Sequence, residues 1–151
     1  MFFEDFQVGQ LSEFGQYLVT EEEIVEFASK YDPQYFHLDD DAAKESLFGG
    51  LCASGWHTGA MFMRMLVDSM PADHGSLGSP GINNLRWLKP VYPGYELSVK
   101  GKVLTCRLSE SKPGVGIICV AYQVINQYQD IVMTVESNAF FRCKGKTAVI
   151  S

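Results

Sequence analysis

The feature that most constrains this chain is a fifteen-residue segment, residues 56–70, in which apolar side chains come round almost every side. As a helix it would be about 22 Å long. A helix apolar on several faces has to be covered on several faces. The C-terminal half of the chain can do the covering. Residues 81–88, 96–108, 116–127 and 131–143 read as strands, the last three long, rich in β-branched residues and partly alternating. Turn chemistry separates them: Lys89-Pro90 and Pro93-Gly94, then Ser111-Lys112-Pro113-Gly114, then residues 126–130. Residues 11–19 could supply a further strand. Helices first and long antiparallel strands after them point to an α+β domain, its sheet wrapped on one buried helix.

The length of 151 residues suits one domain, residues 1–151, with a core of its own. A net charge of −6 argues against a nucleic-acid partner, which calls for a basic face. The longest apolar run is interrupted by His57 and Arg64 and is too short to span a bilayer. Cys52, Cys106, Cys119 and Cys143 are scattered, with no CxxC pair and no zinc-ligand spacing. Asp39, Asp40 and Asp41 read as a helix N-terminus in solvent rather than a magnesium site. No metal and no cofactor is expected. Glu4 and Asp5 stand where a secretory signal would carry positive charge, so a reducing, cytoplasmic compartment is expected.

Thr20 followed by Glu23 is the signature of a capping box and starts a helix over residues 21–31. Ile24, Phe27, Ala28 and Tyr31 give it one apolar face. Pro33 ends it and keeps Asp32 out of the α region. His37 comes five positions after Asp32. A carboxylate and an imidazole facing one cleft make an acid–base pair. An Asp-Pro turn followed by a packed histidine is the other reading of the same residues. Farther on, Ser54 is a good N-cap, with capping a stronger reading than a nucleophilic role. The small residues Ala53, Ser54 and Gly55 leave the first N–H groups of the long helix open to a ligand. His57, in the first turn, reads as packed or hydrogen-bonded, although it is near enough to Gly55 to line a site. His74 falls in a loop. Arg64 and Asp68 are spaced to pair, and the methionines at 61, 63, 65 and 70 read as core filler.

Three stretches together resemble the MaoC-like dehydratase family, which includes the (R)-specific enoyl-CoA hydratases. They are Asp32-Pro33-Gln34-Tyr35-Phe36-His37-Leu38-Asp39, then Phe48-Gly49-Gly50 with Ala53-Ser54-Gly55, then Leu85-Arg86-Trp87-Leu88-Lys89-Pro90-Val91-Tyr92-Pro93-Gly94. Gln34 stands where that family usually has Asn, and Tyr35 where Pro is usual. The resemblance implies a single hotdog domain, an antiparallel sheet curled around a long central helix. It implies hydration of a trans-2-enoyl thioester, or dehydration of a 3-hydroxyacyl thioester. It assigns Asp32 and His37 to the water and its protons, and the Gly55 backbone N–H to the thioester oxygen.

Gln34, Phe36, Ser54, Trp56 and His57 are the expected substrate contacts. The substrate would be carried by coenzyme A or an acyl carrier protein. Arg86, Lys89, Arg142, Lys144 and Lys146 are candidate cations for its phosphates. The resemblance also implies pairing into at least a homodimer, each site near the interface. Two alternatives remain. A hotdog thioesterase usually has a carboxylate on or beside the central helix, and residues 55–67 hold none. A non-catalytic hotdog protein would bind the acyl thioester without turning it over.

Overall fold

The computed structural model describes residues 1–145. Five strands form one antiparallel sheet: β1 (Leu11–Leu18), β2 (Gly81–Trp87), β3 (Glu96–Leu108), β4 (Val115–Ile125) and β5 (Ile131–Arg142), in the order β1-β3-β4-β5-β2. Helix α1 (Glu21–Tyr31) leaves β1. A short α2 (Asp40–Ala43) comes after a 3-10 turn at Tyr35–His37, and α3 (Gly55–Asp68) is the long central helix. This is the hotdog fold. Each strand and each long helix lies within two or three residues of where the pattern puts it.

The sequence explains most of these elements. Thr20 accepts a hydrogen bond from the Glu23 N–H, as an N-cap should. The return half of the expected capping box is missing, because the Glu23 carboxylate turns to Tyr17 and His57 instead. His57, Thr58, Met61, Phe62 and Met65 make the buried face of α3. Met61, Phe62 and Met65 pack with Leu97, Val99, Val124, Val132, Met133 and Val135 of the sheet. Burying a side chain such as Leu97 completely contributes about 1.5–3 kcal/mol. Gly15, at φ +86°, lets β1 approach α3, since a Cβ there would run into the Met65 side chain. A second cluster, Val103, Ile118, Val120 and Phe141, fills the far end under Phe3 and Phe6.

The expectation that α3 is buried on several sides needs correcting. Trp56, Ala60, Met63 and Val67 form a stripe that stays exposed. Their i, i+4, i+7, i+11 spacing puts them opposite the buried face. The sheet has only one layer and covers only one side of the helix.

The pairing of β2 with β5 carries an irregularity that positions Trp87. Between Asn83↔Glu136 and Arg86↔Thr134 the register gains one residue on β2. Asn84 absorbs the bulge at φ 53°, a conformation Asn tolerates better than most residues. A one-residue slip exchanges the two faces of a strand. Trp87 therefore turns toward α3.

Candidate active site

Asp32 is the C-cap of α1, at φ −151° and ψ 67°, and its N–H still donates to Ala28 O. The 3-10 turn then brings the ring of His37 back beside it. The strand-like segment after α2 is tied on both sides, Cys52 N–H to Phe36 O at 3.2 Å and Ala53 N–H to Val91 O at 2.8 Å. These bonds deliver Ser54 and Gly55, the start of α3, to the same place.

The His37 ring is buried. Its Nδ1 lies 2.6 Å from the Cys52 carbonyl oxygen. A carbonyl can only accept, so Nδ1 carries the proton. In the neutral ring Nε2 is then an acceptor, and it sits 3.5 Å from Asp32 Oδ2. Asp32 takes two donated hydrogen bonds, from Ser54 Oγ to Oδ2 at 2.7 Å and from Gln34 Nε2 to Oδ1 at 2.6 Å. Burial alone would raise the Asp32 pKa. The two hydrogen bonds, with the His37 ring alongside, outweigh it and hold the carboxyl below its ordinary value. Two acceptors thus face each other across a short gap. A hydrogen-bond donor able to serve both, such as a water, suits that gap.

Ser54 is fully buried and makes no capping bond. The capping reading of its hydroxyl is replaced by the bond to Asp32. Gly55 opens α3, where backbone N–H groups have no intrahelical acceptor and the helix dipole is positive. The indole of Trp87 lies on its Cα. A Cβ at 55 would come within 2.6–2.9 Å of the ring atoms.

His37 and Gly55 line one cleft of about 350 Å³, together with Phe48, Thr58, Trp87 and Val91. Family comparison decides the kinship: the sequence model described as "MaoC like domain" matches residues 5–124. The chain belongs to the MaoC-like family. A MaoC-like dehydratase from Rhodospirillum rubrum is 36% identical, with a TM-score of 0.87, covering 97% of this chain and 99% of that one. The unliganded R-hydratase PhaJ1 of Pseudomonas aeruginosa is 25% identical with a TM-score of 0.74, over 99% of this chain and 90% of its own. The uncharacterised protein YdeM of Bacillus subtilis is 29% identical over 82% of this chain and 86% of its own length.

Within this MaoC-like site the expected residues separate into groups. Asp32, His37, Gln34, Ser54 and Gly55 come together. Phe36 packs edge-on to the His37 ring at 4.5 Å and supports it from behind. Trp56 points outward on the exposed stripe and meets Trp87 edge-to-face at 5.0 Å. His57 turns to the other flank of α3. There Nε2–H donates to Glu23 Oε1 at 3.2 Å, and Phe27 stacks on the ring at 4.8 Å. Tyr17 donates to the same carboxylate oxygen at 2.5 Å. Burial pulls the His57 pKa down, and the Glu23 contact offsets only part of it. This flank lines a separate cleft of about 360 Å³.

Of the other cleft residues, Phe48, Trp87 and Val91 fall inside the three stretches but carry no expected site role, and Thr58 falls outside them. Of the candidate cations, Lys89 is at the cleft, 3.4 Å from Asp130, while Lys144 is paired with Asp5 at 2.7 Å. Arg86 and Arg142 are exposed, and Lys146 lies outside the described residues. Burial pushes the Cys52 thiol up to about 11, which leaves it protonated and unreactive beside the ring. Among the described residues no group of His, Cys, Asp and Glu is placed to hold a metal ion, and no helix is long and apolar enough to cross a membrane.

Proposed function

We propose that this protein is a hydratase/dehydratase acting on a trans-2-enoyl or 3-hydroxyacyl thioester. The observation that carries the reading is the acceptor Nε2 of His37 set 3.5 Å from the ionised Asp32 Oδ2. A water in that gap donates one hydrogen to each acceptor and turns its oxygen lone pair outward. In hydration that oxygen bonds to the β carbon, one water proton passes to the Asp32/His37 pair, and a proton from the pair reaches the α carbon. The two groups act as a coupled unit, so neither step is assigned to one of them alone. Negative charge that builds on the thioester oxygen is met by the Gly55 N–H at the positive end of α3. Gln34 and Ser54 keep Asp32 ionised, and the Cys52 carbonyl keeps His37 in the working tautomer. The thioester is carried by coenzyme A or an acyl carrier protein, with Lys89 the cation best placed at the cleft.

A second copy of the chain covers the exposed stripe of α3 and the open edge of β2. Trp56, Met63 and Val67 are large apolar side chains that a lone α3 leaves in water. Trp87 joins that stripe to Gly55, which puts the catalytic cleft beside the dimer interface.

The test is the loss of enoyl-thioester absorbance on adding crotonyl-CoA and a small panel of longer enoyl-CoAs, with free thiol followed in parallel. Hydration without thiol release is expected, with D32N and H37A each slower by about 10²–10⁴. Thiol release would move the reaction to hydrolysis. An unchanged rate in either variant would remove the pair from the mechanism.

A further inference from the structure

Thr58 is 3% exposed and lines the cleft that holds His37 and Gly55. Its hydroxyl makes no hydrogen bond with any described residue, and it is not among the polar atoms sealed from solvent. A helical threonine normally satisfies itself on the carbonyl four residues back. Here that carbonyl is Ser54 O, which already accepts from His57 N–H at 2.9 Å and Thr58 N–H at 3.0 Å. The hydroxyl is therefore left to the cleft. Around it the walls are mostly apolar: Phe48, Ala53, Trp87, Leu88 and Val91.

In the empty cleft the hydroxyl is not wholly sealed, so a water can serve it. A ligand that fills the cleft with hydrocarbon displaces that water and strands the donor. The geometry points to Thr58 as a specificity-determining residue that selects a short acyl group bearing a neutral oxygen, a hydroxyl or carbonyl, beyond the reacting double bond. This rests on the hydratase reading. Gly55 and Thr58 are three residues apart on α3, a rise of about 4.5 Å. For an acyl chain that runs along α3 from a thioester oxygen at Gly55 N–H, the fourth or fifth carbon comes level with Thr58. A carboxylate in that place would call for a second cation, and Lys89, given above to the carrier's phosphates, is the one Lys or Arg among the described residues lining the cleft.

Two substrate pairs of equal heavy-atom count test this. They are 4-hydroxycrotonyl-CoA against trans-2-pentenoyl-CoA, and trans-5-hydroxy-2-pentenoyl-CoA against trans-2-hexenoyl-CoA. The wild-type protein should favour the oxygenated member of at least one pair by about 10- to 100-fold in kcat/KM. T58S, which keeps the hydroxyl, should keep the preference. T58V, of nearly the same shape, should lose it, and T58A serves if T58V does not fold. Hydration of both pairs without discrimination, or a preference that survives in T58V or T58A, would overturn the inference while leaving the hydratase reading intact. No hydration of any member would overturn both.

Discussion

Ser54 offers the sharpest test of how the carboxylate is held. Its hydroxyl sits where an N-cap would be but donates to Asp32 Oδ2 instead. A hydrogen bond to a charged group contributes about 1.5–3 kcal/mol. The Asp32 side chain keeps 18% of its surface, so water can replace part of the lost bond in S54A. The lower half of that range, about 1.5–2 kcal/mol, is the expected cost at neutral pH. The sign with pH comes from linkage. Asp32 is held below its ordinary value, so its contribution is fully present above the unfolded carboxyl pKa, about 3.9, and is lost as pH falls through the folded value. The gap between wild type and S54A should be widest at neutral pH and should narrow on acidification below about pH 4. Denaturant unfolding at a series of pH values reads this directly. A double-mutant cycle isolates the pair, because in D32N the acceptor is neutral and S54A should cost about half as much. If S54A costs the same at every pH and in both backgrounds, the hydroxyl is ordinary packing and does not hold Asp32 ionised.

Other perturbations are equally definite. G55A forces its new Cβ against the Trp87 indole, which lies at the sheet edge and can swing away. Stability should change by less than about 2 kcal/mol, but kcat/KM should fall, and W87A should recover part of it. His57 is neutral and its pKa is pulled down by burial, so wild-type stability should decline as pH falls below about 6.5. H57Q should flatten that decline in thermal melts. In G116A the added methyl would overlap the Phe3 ring, lifting the N-terminal segment at a cost of up to about 3 kcal/mol. The same change in an F3A background should cost far less. M63K, on the exposed stripe of α3, should disrupt the proposed dimer in sedimentation or light scattering.

The sheet was legible because its signals are local and repeated. Alternation and turn residues place β3, β4 and β5, and Thr20 with Pro33 brackets α1. The proximity of Asp32 and His37 was legible for the same reason, since Pro33 breaks the helix between them and leaves a turn. What stayed hidden depends on atoms brought together across the fold. Nothing at Ser54 distinguishes a cap from a donor to a residue 22 positions earlier. Trp87 reaches Gly55 only because of a bulge at Asn84, and a residue in the left-handed region leaves no periodic trace. His57 and Glu23 are 34 positions apart and read separately as packing and capping. The open face of α3 is the exception, because an apolar helix reads the same from its sequence whether or not its own sheet covers every side.

The bond from His37 to the Cys52 carbonyl has a consequence for how this site can change. The group that chooses the ring's proton position belongs to the main chain, so no side-chain replacement at 52 can delete it. Position 52 is free to drift among small residues while the imidazole keeps its orientation. Column-by-column comparison of relatives would then score as variable a position whose peptide oxygen orients the ring. A directed-evolution library would meet the same asymmetry: substitutions at 34 or 54 retune the carboxylate, whereas the histidine's tautomer can be altered only by moving the backbone.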